Sequence, residues 1–466
     1  MNIEILSRVQ FAFTAAFHYL FPPLTIGLGV ILVMIEGMWL KTGDRKYHNM
    51  ARFWTKVFAL IFGLGVATGI VLEFEFGTNW ATYSRFVGDI FGSALAAEGI
   101  FAFFLESGFL AILLFGWDKV GPKLHFFATC MVAFGAHFSA VWIIVANSWQ
   151  QTPAGSHLEV DGEVVGAGFK MLPEHLGSAR MVIDEFWEVV FNPSTVERLS
   201  HTLMGAWLAG AFLVVSVSSY YLLKKRHHEF SRLSLRFGLA LAIVASLCSL
   251  VTGHGSAKVV AEYQPSKLAA MEGHWESGPN APLHLAGWVD EENGRTVGPS
   301  LPGGLSWLIA GTADHRVTGL SEIAEEDRPP VQATFQFFHL MVALGMGMIG
   351  YSLWGGWLWW RKRLSKLEHA ETRWFLKLGV VAVLMPQLAN QAGWFTAEIG
   401  RQPWIVWGYL RTSDGLSAVV KAEQVLASII GFGLIYLLLF VMFVFLLNRK
   451  IQHGPEPMGG AIKEGR

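Results

Sequence analysis

Long apolar runs dominate the pattern of hydrophobic and polar positions along this chain. Each run is long enough to cross the roughly 30 Å hydrocarbon core of a bilayer as a helix. The runs lie at 10–38, 53–73, 94–116, 124–146, 203–223, 235–253, 334–358, 375–396 and 423–447. They predict an all-α integral membrane protein with about nine transmembrane helices arranged in bundles.

The connections between these runs alternate in charge. Lys and Arg concentrate in every second connection and in the tail, at 41–56, 119–123, 224–236, 361–373 and 449–450. Cytoplasmic connections carry such an excess, so we expect the N-terminus outside and the C-terminus in the cytoplasm. The intervening segments should face outward; they lie at 74–93, 147–202, 254–333 and 397–422. The first run is too long for a signal peptide and should remain as a span.

Composition agrees with a membrane protein and narrows its partners. Of the 466 residues, 53% are hydrophobic and 15% are charged, whereas soluble domains carry roughly 25% charge. The net charge of -1 offers no basic excess for nucleic acid. Cys130 and Cys248 lie inside apolar runs and form no Cys-x-x-Cys-His motif, so any haem would be held non-covalently.

Four histidines lie inside or near the ends of the runs: His18, His137, His201 and His339. Each is either a packing residue or a haem ligand, since neutral imidazole is a common iron donor. His201 and Met341 open two runs at the outer face. One low-spin haem could be held between them, although a methionine at a helix end more often only packs.

Two carboxylates share the third run. Glu98 and Glu106 are eight residues apart, which in a regular helix places them about 12 Å apart along the axis and offset by about 80°. That spacing suits two steps of one proton path better than one metal site. Ser139 and Asn147 in the fourth run could extend the path or could bond neighbouring helices.

Polar residues also mark two outward segments. Glu398 stands at a membrane edge just before Arg401, and the two either form an ordinary ion pair or serve a cofactor. Lys267 and Glu272 offer a cation and a carboxylate that could orient a quinol headgroup and take its proton. The alternative for this second pair is a solvated surface helix.

Several longer stretches, in the same order, resemble subunit I of cytochrome bd-type quinol oxidases over essentially the whole chain. They are Ser7–Ala12 leading to His18, Gly65–Gly69 with Phe76–Trp80, Ala97–Gly99 with Phe103–Ser107, Lys267–Ala270 with Glu272, and Gly400–Trp404. The resemblance implies a terminal respiratory oxidase that oxidises quinol at the outer face and reduces O2 to water at a high-spin haem pair. It would generate proton motive force without pumping and without copper.

The resemblance also implies a setting for the chain. The cofactors would be a low-spin haem b, a high-spin haem b, and haem d or a further haem b. The chain would be a multi-pass protein of the bacterial cytoplasmic (inner) membrane, with a second large subunit as partner. A small single-span subunit is compatible with the family as well.

By likeness, five residues hold or flank the haems. His201 and Met341 match the ligands of the low-spin haem. His18, Glu98 and Glu398 match residues that ligate or flank the two high-spin haems, without a division between them.

Five further residues match other roles in the family. Glu106, Ser139 and Asn147 fall where proton-path residues lie, with Glu106 as the expected proton carrier. Lys267 and Glu272 match quinol-site positions. Glu98, Glu106 and Glu398 are therefore the expected catalytic carboxylates.

Arg401, Trp404 and His339 are expected around the haem pocket. Arg401 and Trp404 belong to the Gly400–Trp404 signature. His339 departs from the family, since many relatives carry Arg two residues before the methionine ligand. His137 has no counterpart role in the resemblance.

The resemblance suggests four regions. Residues 1–253 form six transmembrane helices that carry the haem and proton-path residues. Residues 254–333 form an outer quinol-binding loop, which lacks the long insertion of some relatives. Residues 334–448 form three further helices with the signature, and 449–466 form a cytoplasmic tail.

The residues alone leave two other classes open. A haem b subunit that passes electrons between quinone and another redox partner, without reducing O2, would need His201 and Met341 only. A secondary transporter would bind ions at Glu98 and Glu106, but the inverted repeats typical of that class are not visible in the pattern.

Overall fold

Helices make up most of the molecule. The computed structural model describes residues 2–166, 169 and 171–456. The helices are α1 (Ile3–His18), α2 (Pro22–Thr42), α3 (Arg45–Thr78), α4 (Ala81–Phe86), α5 (Gly88–Ala97), a π-helix (Glu98–Phe103), α6 (Phe104–Phe115), α7 (Pro122–Gln151), α8 (Phe186–Val190), α9 (Thr195–Leu223), α10 (His228–Tyr263), α11 (Pro265–Glu272), α12 (Gly304–Ala310), α13 (Val331–Trp360), α14 (Ala370–Val381), α15 (Leu384–Ile399) and α16 (Ala422–His453). Short 3-10 helices cover Pro173–Gly177, Leu320–Glu322, Glu325–Asp327 and Thr412–Gly415.

Within the described residues, eight helical segments are long and apolar enough to cross a membrane. They are Ile3–Thr42, Arg45–Thr78, Gly88–Phe115, Pro122–Gln151, Thr195–Leu223, His228–Tyr263, Glu325–Trp360 and Ala422–His453. They coincide with eight of the predicted runs and confirm the all-α membrane fold.

The remaining predicted run, 375–396, is built from the two shorter helices α14 and α15. Pro386 lies in the first turn of α15 and has no N–H for the carbonyl of Ala382, so one continuous ladder of hydrogen bonds cannot form. The run is therefore helical but interrupted. Its outer part, α15, brings Glu398 to the outer end of the bundle.

A similar interruption divides the first run. Pro22 and Pro23 begin α2, a position where missing N–H groups cost little. Both halves pack along the single long helix α3. Near the outer end of α3, Asn79 donates a 2.9 Å hydrogen bond to Gln10 of α1.

The predicted basic connections meet at one end of the bundle. They are joined by contacts of Lys56 Nζ with Glu456 Oε1 (2.8 Å), Arg52 Nη1 with Asp118 Oδ2 (3.8 Å), and Arg226 Nη2 with Gln452 O (2.6 Å). The tail prediction for 457–466 lies outside the described residues.

The four predicted outward segments meet at the opposite end. They are joined by hydrogen bonds from Ser417 N to Asn79 O (2.9 Å), Trp407 N to Gln150 O (3.0 Å), Gln264 Nε2 to Gln151 Oε1 (3.1 Å) and Arg411 Nη2 to Asp327 Oδ1 (2.6 Å). This alternation agrees with the topology expected from the basic residues.

Small antiparallel sheets cover the outer end. The first has the strand order β2-β1-β3, from Glu163–Val165, Ser156–Val160 and Arg180–Ile183. Three two-stranded pairs follow: β4 (Leu283–His284) with β7 (Ser300–Leu301), β5 (Trp288–Asp290) with β6 (Arg295–Val297), and β8 (Trp404–Val406) with β9 (Leu410–Arg411). These sheets and α11 cover the outer ends of the helices.

The core of the bundle is centred on α2, α3, α9 and α10. Gly27 of α2 and Gly210 of α9 let two helix backbones touch, because a Cβ on Gly27 would lie 2.8 Å from Gly210 N. Small residues at such crossings are typical of membrane helix packing. The close contact fixes α9, and with it His201, relative to the first helices.

Candidate functional site

Hydrogen bonding separates the four candidate histidines into two kinds. His137 uses both ring nitrogens: Nδ1 lies 2.7 Å from the Ala133 carbonyl, and Nε2 accepts a 2.8 Å hydrogen bond from Trp207 Nε1. Neither nitrogen has a lone pair left for a metal. His137 is therefore a packing residue between α7 and α9.

His339 is also fully engaged. Its Nδ1 lies 2.9 Å from the Phe335 carbonyl and its Nε2 lies 2.9 Å from the His284 carbonyl. The ring stacks on Phe335 at 3.9 Å between centroids. Both ring nitrogens are therefore occupied by contacts with backbone carbonyls. His339 is thus tied to the outer loop and not free to replace Met341.

His18 and His201 form the second kind. Each uses Nδ1 to contact a threonine on a neighbouring helix, His18 with Thr68 at 3.0 Å and His201 with Thr252 at 3.1 Å. Within the described residues, Nε2 of neither ring makes a hydrogen bond. These two histidines keep one nitrogen available to a metal.

His201 and Met341 lie at the same level of the bundle. Asn390 of α15 donates a 3.2 Å hydrogen bond to the carbonyl of Gly205, one turn inward of His201 on α9. Gly393, about one turn outward of Asn390, lies against Met341: a Cβ there would be 2.9 Å from the sulfur. Through α15, the helices that carry these predicted partners are therefore connected at about one depth of the bundle.

The two carboxylates of the third run both face α7. Ser139 donates a 2.6 Å hydrogen bond to Glu98. Glu106, 7% exposed, lies against Gly135, where a Cβ would be 2.9 Å from its own Cβ. Gly135 and Ser139 are one turn apart on α7. The offset of about 80° expected for a regular helix does not apply here, because Glu98–Phe103 forms a π-helix that winds less per residue.

Glu398 stands in a cluster of polar side chains at the outer end of α7, α9 and α15. It forms a 2.5 Å ion pair with Arg401 and accepts a 3.0 Å hydrogen bond from Asn147. Arg198 of α9 bonds the amide oxygen of Asn147. The ordinary ion pair is therefore present, and Asn147 contacts Glu398 and Arg198.

Spare donors remain in this cluster. Arg401 Nε donates to the Trp404 carbonyl at 3.2 Å, while the buried Arg401 Nη1 and Arg198 Nε have no partner in the described part of the chain. The Trp404 ring packs under Arg411, 4.8 Å from its guanidinium carbon. Unpartnered buried donors are uncommon and point to an anionic or polar group that would complete them.

The residues present fit haem. His18 and His201 each keep a free Nε2, and Met341 offers a thioether, which are ordinary axial donors to haem iron. The spare guanidinium N–H groups suit the carboxylates that a haem carries at its edge. The donor set and its place near the outer face therefore agree with the cofactor that the sequence predicts.

Lys267 and Glu272 are buried under the outer layer, each only 2% exposed. The alternative of a solvated surface helix is thus excluded for α11. Lys267 Nζ donates to Gln264 Oε1 at 2.7 Å and also bonds Gln151. Burial, together with Arg198 nearby, lowers the pKa of Lys267 well below its usual value.

Glu272 has different surroundings from Lys267. Its Oε2 is buried without a partner among the described residues, and its backbone carbonyl faces Nδ1 of His284 at 3.1 Å. Burial raises the pKa of the Glu272 carboxyl to about 8. This side chain can therefore take up and release a proton near neutral pH.

Sequence reasoning missed several polar residues. Arg198, in the first turn of α9, joins the Glu398 cluster, and its signal was a basic residue on an outward segment poor in basic residues. Glu36 and His125, both fully enclosed, pair at 2.7 Å near the cytoplasmic ends of α2 and α7, and Thr129 donates to Glu36. Their signal was a carboxylate inside the first apolar run.

Comparisons with known proteins agree on one family. The family model described as cytochrome bd terminal oxidase subunit I matches residues 6–455. The chain is 37% identical to cytochrome bd ubiquinol oxidase subunit 1 of Bacillus subtilis (strain 168), over 98% of this chain and 95% of the relative. It is 34% identical to cytochrome bd-II ubiquinol oxidase subunit 1 of Escherichia coli (strain K12), over 97% of each. The structure of bd oxidase from Geobacillus thermodenitrificans matches with a TM-score of 0.85 at 30% identity, over 97% of this chain and 99% of that one.

Proposed function

The chain belongs to the family of cytochrome bd terminal oxidase subunit I, and from this premise we propose how its residues divide the reaction. It is a multi-pass, haem-binding subunit of a quinol-oxidising terminal oxidase in the bacterial cytoplasmic membrane, and a second subunit completes the complex. This membership decides against a haem b anchor that never meets O2 and against a transporter. The division of labour below is our proposal.

His201 and Met341 would hold a low-spin haem b near the outer face. His18, Glu98 and Glu398 would ligate or flank a high-spin pair, a haem b with haem d or a further haem b. Bound haem would supply one-electron transfer and the iron at which O2 is reduced. The free Nε2 atoms of His18 and His201 are the observation that carries this assignment.

Arg401 would bind haem carboxylates and would weaken its ion pair with Glu398 in doing so. It already places one buried N–H group, Nη1, without a partner beside Glu398. Arg198 has a second such group in the same cluster. His339 would help to shape the pocket from the outer side through its contacts with Phe335 and the outer loop.

Quinol would be oxidised beneath the outer layer, next to α11. Glu272 has a carboxylate oxygen without a partner among the described residues and a pKa of about 8, which suits a general base for a quinol hydroxyl. Lys267 would orient the headgroup oxygen. Each quinol would lose two electrons and two protons, and the protons would leave on the outer side.

Protons for water formation would come from the cytoplasm along α7. Glu106 would carry them outward to Glu98, which Ser139 holds by its hydrogen bond, and Asn147 would support Glu398 at the outer end. Protons would thus be released outside and consumed from inside. The oxidase would be electrogenic without a pump.

The buried pair of Glu36 and His125 would lie at the cytoplasmic start of this route. His125 precedes Gly135 by ten residues on α7, a rise of about 15 Å. Water would have to bridge this gap to Glu106. The pair thus extends the track that the sequence suggested from Ser139 and Asn147 toward the cytoplasm.

Other features of the proposal concern assembly and substrate. A small single-span subunit would join the two large ones, and the purified complex would show it as a third band on a denaturing gel. The quinol would be ubiquinol or menaquinol. Activity assays with each reduced quinone would distinguish between the two. The four-region division of the chain stays a prediction.

Optical spectra of the purified complex test the function directly. We expect a reduced-minus-oxidised spectrum with a low-spin haem b band, and a change on adding CO that reports a high-spin haem. A band near the red end of the visible range would identify haem d, and its absence would identify a further haem b. Absence of any CO-reactive haem would contradict the oxidase.

A further inference from the structure

The same dipeptide lies against both histidines that keep a free nitrogen. Thr68-Gly69 of α3 faces His18, and Thr252-Gly253 of α10 faces His201. Thr68 lies ten residues before the outer end of α3, and Thr252 lies eleven before that of α10. The two contacts therefore occur at nearly the same distance from their helix ends.

Each threonine hydroxyl donates its only proton to a carbonyl of its own helix. Thr68 Oγ1 donates to the Leu64 carbonyl at 2.9 Å, and Thr252 Oγ1 donates to the Cys248 carbonyl at 3.1 Å. What each hydroxyl then presents to the imidazole is a lone pair. The contact with the ring is satisfied when the ring nitrogen donates.

A second carbonyl supports this direction in both places. The Thr68 hydroxyl also lies 3.1 Å from the Gly65 carbonyl, and the Thr252 hydroxyl lies 3.4 Å from the Ser249 carbonyl. A carbonyl cannot donate, so the hydroxyl proton stays within its own helix and the proton of the histidine contact belongs on the ring nitrogen, Nδ1. The remaining nitrogen, Nε2, is then the one with the lone pair.

The glycine of each dipeptide makes room for the ring. A Cβ on Gly69 would lie 3.2 Å from Cε1 of His18, and a Cβ on Gly253 would lie 3.2 Å from Cε1 of His201. This distance is shorter than ordinary van der Waals contact. Glycine therefore lets each ring approach the neighbouring helix closely enough for its hydrogen bond.

We propose that Thr68-Gly69 and Thr252-Gly253 are two copies of one positioning device, which holds His18 and His201 with Nδ1 protonated and Nε2 presented to haem iron. The proposal rests on the assignment of these histidines as haem ligands. The threonines are positioning residues, because they act through the histidines. Partners of this kind fix the orientation of a ligating histidine and raise its donor strength.

Valine at each threonine removes the hydroxyl and keeps the shape. In the purified complex we expect Thr252→Val to raise the midpoint potential of the low-spin haem, since a weaker donor stabilises ferric iron less. We expect Thr68→Val to alter the CO-difference spectrum of the high-spin haems and to leave the low-spin band in place. Each variant should weaken retention of its own haem by about 10- to 100-fold.

Serine variants and a matched threonine provide the controls. Thr68→Ser and Thr252→Ser keep the hydroxyl and should restore the parent spectra and potentials. Thr55, also on α3 and 1% exposed, has a hydroxyl without a partner in the described chain, so Thr55→Val should change neither haem. If a valine variant fails to assemble, the corresponding Thr→Ala variant is measured in its place.

The outcomes separate this proposal from the ligand assignment. The positioning device is overturned if both valine variants match Thr55→Val in haem retention, spectra and potentials. A fall in the midpoint potential of the low-spin haem in Thr252→Val would also overturn it. Parallel His18→Ala and His201→Ala variants test the ligands themselves. If these lose their haem signals while the valine variants do not change, the ligand assignment holds and the device alone fails.

Discussion

The hydroxyl of Ser139 donates a 2.6 Å hydrogen bond to Oε1 of Glu98. This contact ties the π-helix Glu98–Phe103 to α7, and Glu106 meets the same helix one turn away at Gly135. Two carboxylates that a regular helix would turn apart are thereby directed to one neighbour. Glu106 and Glu98 therefore lie in succession along α7, as the proposed proton path requires.

Glu106 should limit turnover if it carries protons to the O2 site. We expect Glu106→Gln to slow quinol-driven O2 consumption by about 100-fold, the scale of a lost proton-transfer group, with haem content retained. An O2 electrode measures the rate of O2 consumption, and optical spectra measure the haem content. Ser107→Ala is the control, because the neighbouring Ser107 hydroxyl bonds only its own helix, at the Phe103 carbonyl. Unchanged turnover in Glu106→Gln would remove Glu106 from the path.

Met341 should determine the low-spin haem spectrum. We expect Met341→Leu to shift the alpha band and lower the midpoint potential, because the thioether that raises haem potential is lost. Met348→Leu on the same helix, a buried methionine, should leave both unchanged. An unaltered alpha band in Met341→Leu would mean that another residue binds the iron.

Glu272 should give quinol oxidation its pH dependence. Burial raises the pKa of this carboxyl from 4.5 to about 8, so the proton-accepting form grows about tenfold per pH unit below 8 and then levels off. We expect kcat/KM for quinol to follow this rise, and Glu272→Gln to lower and flatten the profile. Glu276→Gln, an exposed carboxylate on the same segment, should keep it. A parent enzyme with a flat profile from pH 6 to 9 would contradict the role.

The raised pKa of Glu272 also makes the stability of the folded chain depend on pH. Between pH 4.5 and 8 the folded chain binds the Glu272 proton and the unfolded chain does not. The contribution of this group to stability is therefore fully present below pH 4.5 and is lost as pH rises through about 8. Thermal unfolding of the purified complex should show Glu272→Gln losing part of the decline in stability between pH 4.5 and 8. An identical pH dependence in both proteins would contradict it.

Much of this fold could be predicted from the pattern of apolar runs and basic connections. Nine runs and their alternation of charge account for the helices and for the two ends at which the connections meet. The interruption of 375–396 also had a local cause in Pro386. The burial of α11 has no such local cause, because the strands and loops that cover it follow it in the sequence.

The sequence named candidate site residues by type, but it did not indicate which side chains contact one another. Four histidines looked alike in sequence, and what separates His18 from His137 is a threonine about fifty residues away and a tryptophan seventy away. The π-helical winding after Glu98 has no residue signature. Such differences depend on which helices become neighbours, and only the folded chain decides that.

CO binding by paired histidine variants tests the central account most directly. We predict that His18→Ala abolishes or grossly alters the CO-difference spectrum of the purified complex, because it would remove the nitrogen that we propose as a ligand of a high-spin haem. His137→Ala should preserve that spectrum, because both of its nitrogens are already bonded within the protein. A parent-like CO spectrum in His18→Ala, or loss of it in His137→Ala with the complex intact, would contradict the account.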